Sequence, residues 1–368
     1  RSLRWASSLT SQGMAEQREL KCLIAAGGTA GHVLPSLAVA EALVARGLKV
    51  TFAGSPDRAE ARLVPEAGFE LDTFRVSGLP RKPTPTLGRA VGQALRAPRA
   101  CKRILRAREP DVVLGGGGYV AGPIVYAASR LGIPAALMEA DAHLGLANRL
   151  AAPFAERVFL SFPIEGREGA KYRVTGRPIP ARNRPTSKAE GRRVFDLPPR
   201  ARVLLVFGGS QGATSLNEVM VEAFGEAGPA VLHLSGERDF ELLSRQVRRD
   251  EYRLVPFTDE FGAALAAADL VVARAGGSVW ELAAAGKPAI LVPYPFATAD
   301  HQAKNARFFE RGGGAITVPE TELGRVADLA RSLIGDAERL KEMGEAMKRV
   351  ARPDAADDIA EELIAIAR

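Results

Sequence analysis

At 368 residues, 46% of them hydrophobic and 25% charged, the chain has ordinary globular composition and enough length for two domains. No apolar run approaches the roughly 18 residues of a membrane-spanning helix, and the first stretch lacks the apolar core of a signal peptide, which argues against transmembrane and secreted classes and for a cytoplasmic location. A net charge of +7 points to a partner carrying phosphates: nucleic acid, an anionic membrane or a phosphorylated small molecule.

Residues 1–19 read as a disordered or artificial leader, because RSLRWASSLTSQG has no periodicity and precedes Met14. From Leu20 onward, short apolar runs alternate with helix-length segments that end in Gly, the pattern of βαβ units on a parallel sheet. LKCLI leads into the glycine loop AAGGTAGH, a helix with Pro35 at its start and Gly47 after its end, then the strand KVTFAG. Cys22 and Cys101 match no metal or disulfide spacing and are expected as free thiols.

Between Arg81 and Arg108 stand nine basic residues and no acid. Arg96, Arg99, Arg103 and Arg106 share one helical face, and Leu87, Val91 and Leu95 form an apolar series just before Pro98. The stretch reads either as a solvated face or as a patch for a membrane surface; it has no aromatics for stacking on nucleic acid.

The second half repeats the first. LLVFGGSQGA, a helix through Asn217 and Phe224, and AVLHLSG follow the same order, and DLVVARAGGSVWELAAAGKP parallels DVVLGGGGYVAGP. The expected architecture is α/β: Rossmann-like domains at 20–176 and 191–350, a Pro- and Arg-rich linker at 177–190, and a terminal helix at 351–368 packing back toward the first domain. Ligands would lie in the cleft between the two parallel sheets.

Glycine turns between strand and helix bring backbone N–H groups and the helix dipole to an anion. A dinucleotide is disfavoured, since the acid expected at the end of the second strand is missing: that strand ends Ala53-Gly54-Ser55, and its counterpart Leu234-Ser235-Gly236. Glu281, the one charge in its short apolar helix, is either an N-terminal-turn residue complementing the dipole or a carboxylate for two ribose hydroxyls. Asp300, His301, Gln302 and Asn305 suit a hydroxyl-rich ligand.

GGTAGH, GGYVAGP, GGSQGA, GGSVWELAAAGKPAILVPYP and DHQAKNA together resemble the GT-B glycosyltransferases that convert lipid I to lipid II in bacterial peptidoglycan synthesis. The resemblance implies a UDP-N-acetylglucosamine donor held by the second domain, through Ser210, Gln211 and Asn217, with Glu281 on the ribose, Phe257 and Thr258 near the uracil, and His301 and Gln302 on the sugar. It further implies an undecaprenyl-diphosphate acceptor held by Thr29, Gly31, Gly117, Gly118 and Tyr119, and a peripheral place on the cytoplasmic face of the bacterial inner membrane, reached through 81–108. No cofactor or metal is expected, there being no D-x-D carboxylate pair, and no nucleic-acid partner.

The implied reaction is an inverting transfer in which an acceptor hydroxyl expels UDP, so a base must take its proton. His32 is the candidate, against the reading that it only orients its loop, and Glu139 is the second catalytic candidate. Two motifs depart from the family. HEQN becomes Met138-Glu139-Ala140-Asp141, which puts a carboxylate where an amide meets the donor sugar, with His143 the candidate to compensate. GNPVR becomes Gly176-Arg177-Pro178-Ile179-Pro180, which leaves Arg177 or Arg182 to meet the diphosphate. A related UDP-sugar glycosyltransferase acting on another lipid acceptor such as diacylglycerol, a UDP-sugar 2-epimerase and a non-catalytic nucleotide-binding protein are the competing readings.

Overall fold

The computed structural model describes residues 18–76, 86–209 and 212–367. Ser210, Gln211 and the 81–85 part of the basic stretch lie outside them, as do the side chains of residues 86–95, Arg89 among them.

Seven strands build the first sheet: β1 (Lys21–Ala26), β2 (Lys49–Gly54), β3 (Glu70–Thr73), β4 (Val112–Gly117), β5 (Ala135–Glu139), β6 (Arg157–Leu160) and β7 (Tyr172–Val174). The second sheet has six: β8 (Val203–Phe207), β9 (Ala230–Leu234), β10 (Tyr252–Val255), β11 (Leu270–Ala273), β12 (Ala289–Leu291) and β13 (Ala315–Thr317). The order is β3-β2-β1-β4-β5-β6-β7 in one and β10-β9-β8-β11-β12-β13 in the other. Every pairing is parallel. Both domains are therefore Rossmann-like, and the reversal between β1 and β4, or between β8 and β11, opens a crevice at the carboxyl ends of the strands. Strand β4 is apolar because helices cover both faces of the sheet, with Val112, Val113 and Leu114 all fully buried.

Three features tie the halves together. Phe162, just past β6, inserts into an aromatic cluster of the second domain, with ring centroids 5.1 Å from Trp280 and 5.4 Å from Phe308. The 177–190 segment is not a loose tether: Arg177, Ile179 and Asn183 are buried along it, and the helix Lys188–Val194 begins before it ends. The helix Ala355–Ile366 completes the core of the first domain, burying Ile359, Ala360 and Leu363 beside Val33 and Leu37. Arg46 clamps it, donating to Asp357 at 2.7 Å and Glu361 at 3.2 Å.

Pro35 is displaced from its expected position. The first helix runs Ala30–Ala45, so Pro35 lies inside it, where it has no N–H to donate to the Gly31 carbonyl four residues back. Cys22 and Cys101 are buried free thiols, and burial raises both to about 12.

Leu363→Ala should cost about 2–5 kcal/mol through the cavity it leaves in the first domain. Urea denaturation of the full chain measures this, and an unchanged midpoint would show that the last helix contributes little to that core.

Candidate active site

The first glycine loop is shaped from beneath by Glu60, a residue that pattern reading missed. Its fully buried carboxylate accepts from Gly28 N at 2.9 Å and Ser55 N at 2.8 Å. A Cβ on Gly27 would lie 2.3 Å from Glu60 Oε1, so only glycine fits there. The acid missing from the end of β2 thus stands six residues past Gly54, turned inward against the loop and away from any ribose. Gly117 and Gly118 pack on this loop from β4: a Cβ on Gly118 would meet Gly27 O at 2.1 Å, and one on Gly117 would meet the His32 ring at 2.5 Å.

His32 is half-buried on Gly117, with its Nδ1 3.3 Å from Thr29 Oγ1. Burial lowers its pKa below the usual histidine value, and the Arg177 guanidinium lowers it further against Asp141 and Glu60. The imidazole is therefore neutral near pH 7 and able to accept a proton. Gly31 and Tyr119 are exposed at the mouth.

Arg177 joins the two domains. Its Nη2 donates at 2.5 Å to Gly31 O, the carbonyl that Pro35 cannot pair, and its Nη1 approaches Ala140 O at 3.5 Å. The guanidinium lies flat on Gly277, where a Cβ would meet its Cζ at 2.3 Å. Burial lowers its pKa, and Asp141, Glu281 and Glu139 counter that in this order. Glu281, on the helix Val279–Ala284, accepts from Asn183 Nδ2 at 2.6 Å. Its carboxyl is raised by burial and lowered by Asn183 and Arg177. Asn305, fully buried, bridges the seam: its Oδ1 accepts from Ala142 N at 3.1 Å, and its Nδ2 donates to Ala275 O at 3.1 Å. Asp141 Oδ1 is 3.5 Å from the same Nδ2. His32, Asp141, Arg177 and Glu281 are thus one electrostatic group spanning the cleft.

An expected catalytic residue, Glu139, and an expected ligand residue, Asn217, are placed behind the surface instead. Glu139 accepts from Gly145 N at 2.9 Å, Asn148 Nδ2 at 2.9 Å and Asp141 N at 3.3 Å, so its buried carboxylate is committed to holding its own loop. Asn217 is fully buried; its Nδ2 donates to Ser235 O and Asp239, and its Oδ1 meets His233 Nε2 at 3.0 Å. With donor and acceptor both engaged, it braces the turn that follows β9 and does not reach into the cleft.

Gln302 turns its Oε1 to Tyr294 N at 2.9 Å, next to His301 at the start of the helix His301–Arg311. Phe257 and Thr258 stand apart, past β10; Phe257 is half exposed, and Thr258 Oγ1 accepts from Glu260 N at 3.0 Å. Arg274, also missed, is buried beneath the second loop's helix, paired with Glu320 and bonded to Ser215 Oγ at 3.2 Å.

This constellation, two Rossmann-like domains facing each other across a charged cleft, is the architecture of a GT-B glycosyltransferase. Residues 22–160 match the glycosyltransferase family 28 N-terminal domain and residues 203–359 the family 28 C-terminal domain. The chain belongs to glycosyltransferase family 28.

Relatives named UDP-N-acetylglucosamine--N-acetylmuramyl-(pentapeptide) pyrophosphoryl-undecaprenol N-acetylglucosamine transferase include one from Halothermothrix orenii, 37% identical, covering 91% of this chain and 95% of the relative. Another, from Acidithiobacillus ferrooxidans, is 44% identical over 92% and 95%. The crystal structure of Acinetobacter baumannii MurG superposes with a TM-score of 0.74 at 28% identity, covering 94% of this chain and 99% of that one.

The network behind the turn after β9 predicts a pH dependence. His233, bonded to Tyr252 and Asn217, is held neutral by burial with its pKa pulled down to about 3. Below pH ~6.5 the unfolded chain takes up a proton that the folded chain refuses, so stability is full above that pH and falls by about 1.4 kcal/mol per unit on acidification. Denaturation at pH 7 and at pH 5 should show the wild type losing about 2 kcal/mol more than His233→Gln; equal losses would place the titration elsewhere.

Proposed function

We propose that this chain transfers N-acetylglucosamine from UDP-N-acetylglucosamine to the muramyl 4-hydroxyl of an undecaprenyl-diphosphate-linked N-acetylmuramyl pentapeptide, turning lipid I into lipid II. The names of the full-length relatives support the substrates. The observation that carries the chemistry is the seam at Arg177, which sets a neutral imidazole on one wall of the cleft and a half-buried carboxylate on the other.

In this reading the second domain binds the donor. Glu281, with Oε1 fixed by Asn183, offers its other oxygen to the ribose hydroxyls. The loop around Ser210 and Gln211, together with the amino end of the helix Thr214–Phe224, receives the diphosphate and stabilises the charge that develops as UDP leaves. Phe257 and Thr258 border the uracil, and His301, Gln302 and Asp141 meet the sugar. Thr29, Gly31, Gly117, Gly118 and Tyr119 receive the acceptor diphosphate. His32 takes the proton from the attacking hydroxyl, which forms the new glycosidic bond on the face opposite the departing UDP.

The acceptor is a lipid, so the reaction belongs at a membrane surface, and we place the enzyme peripherally on the cytoplasmic face. No described helix is long and apolar enough to cross a bilayer. Arg96, Arg99, Arg103 and Arg106 are exposed along the helix Thr86–Arg108, in position to meet anionic lipid.

UDP release should follow addition of UDP-N-acetylglucosamine and a lipid I analogue, and stay at background with diacylglycerol. Tight UDP binding without turnover on either acceptor would overturn the assignment. His32→Ala should lower kcat by about 10²–10⁴-fold and leave UDP affinity within about twofold; equal losses in both would make the histidine structural. Glu281→Ala should weaken donor binding by about 10–100-fold, the worth of hydrogen bonds to a charged acceptor. An unchanged donor KM would remove it from the ribose.

A further inference from the structure

A second cavity, of about 320 Å³, opens at the other end of the second sheet, beside the residues that precede β11 and β12. Its walls carry Lys188, Arg202, Lys287, Lys341 and Lys348 against two acids, Asp269 and Glu345. Asp269 is already engaged, at 2.5 Å from Lys188 and 3.0 Å from Arg192. Arg202, Lys341 and Lys348 make no ion pair among the described residues. A Cβ on Gly286, at φ +61°, would strike Lys348 Cε at 2.4 Å, and one on Gly344 would meet Gly286 O at 2.8 Å. These two glycines let the helix Ala337–Val350 close on the Gly286-Lys287-Pro288 turn, so the stem of Lys348 is packed in place at the rim.

Lys287 reports the potential inside. It donates to the carbonyls of Ala266 at 3.3 Å and Ala268 at 2.8 Å, capping the helix Phe261–Ala267. Burial first, then the Lys188 ammonium, pull its pKa down to about 8; Asp269 opposes, and Lys348 and Arg192 add to the drop. Burial accounts for the largest part of that drop, and the cations lining the walls make the cavity a place where an anion would be held.

We propose that this cavity is a second anion site, distinct from the interdomain cleft, that takes a diphosphate-sized phosphate-bearing ligand between Arg202, Lys341 and Lys348. Three cations without an ion pair among the described residues, facing Glu345 as the one unengaged acid, suit a multivalent anion better than a single carboxylate. The space is about ten times one water's share of liquid volume, room for more than a lone ion. A free phosphate ester and a lipid headgroup share this chemistry.

The test follows the Lys287 side chain by NMR in the full chain with labelled lysine, assigned through Lys287→Arg, with UDP saturating so that the donor site is filled. Inorganic pyrophosphate should raise the apparent Lys287 pKa by about half a unit or more. The double variant Lys341→Ala/Lys348→Ala should need at least about tenfold more pyrophosphate for the same shift. Phosphatidylglycerol vesicles form the second arm: a variant-sensitive shift with vesicles assigns a lipid headgroup, and one with pyrophosphate alone assigns a free solute. No shift with either, or one the double variant retains in full, overturns the proposal.

Discussion

The cleft is organised by a guanidinium that has little water to solvate it. Burying Arg177 would cost several kcal/mol if it were left unpaired. The cost is offset by a bond to an unpaired helix carbonyl and by the longer-range field of three carboxylates from both domains. The carbonyl is available because Pro35 has no N–H to give, so a residue that interrupts the helix ladder supplies the bond that closes the cleft. The other wall can approach because residue 277 is glycine. Any side chain there would collide with the guanidinium and displace it from its place against Gly31.

Three turns near the cleft are held from behind by buried polar side chains: the first glycine loop by Glu60, 140–148 by Glu139, and the turn after β9 by Asn217 with His233 and Asp239. Such groups are tolerated in the core only when they are bonded, and their bonds fix the loop backbone before a ligand arrives. Loop N–H groups oriented in advance stabilise developing charge without further reorganisation. Glu139, expected as a second catalytic candidate, fits this frame as a positioning residue, its oxygens already accepting from three donors.

The repeated strand–glycine–helix unit made the two-domain parallel fold and the position of the cleft legible, while the strand order came only with the structure. The ends of β1, β4 and β11 could likewise be read as the cleft walls. What stayed hidden depended on distant partners. Glu60 sits in SPDRAEA, with nothing in its neighbours to show that it turns under Gly28. Asn305 stood out as a polar ligand candidate, yet its bonds run to Ala142 and Ala275, partners only the folded seam provides. Asn217 lies on the apolar side of its helix, a position where an amide finds protein partners and no solvent. That signal was available and outweighed by motif position.

The two departures from the family pattern make physical sense together. A carboxylate at position 141 alone would add negative charge beside Glu139 and Glu281 and disfavour a nucleotide diphosphate entering the cleft. An arginine at 177 alone would be buried with too few partners. In the fold Asp141 is the foremost charge sustaining the Arg177 cation, and Arg177 also tempers Glu281. Each substitution supplies the opposite charge the other needs, so the cleft keeps its electrostatic balance while the amide and arginine expected from the family are both displaced. The cation is moved to the domain seam, where it depresses the pKa of His32 as well. The titrations of His32 and Glu281 are thereby both tied to the same side chain.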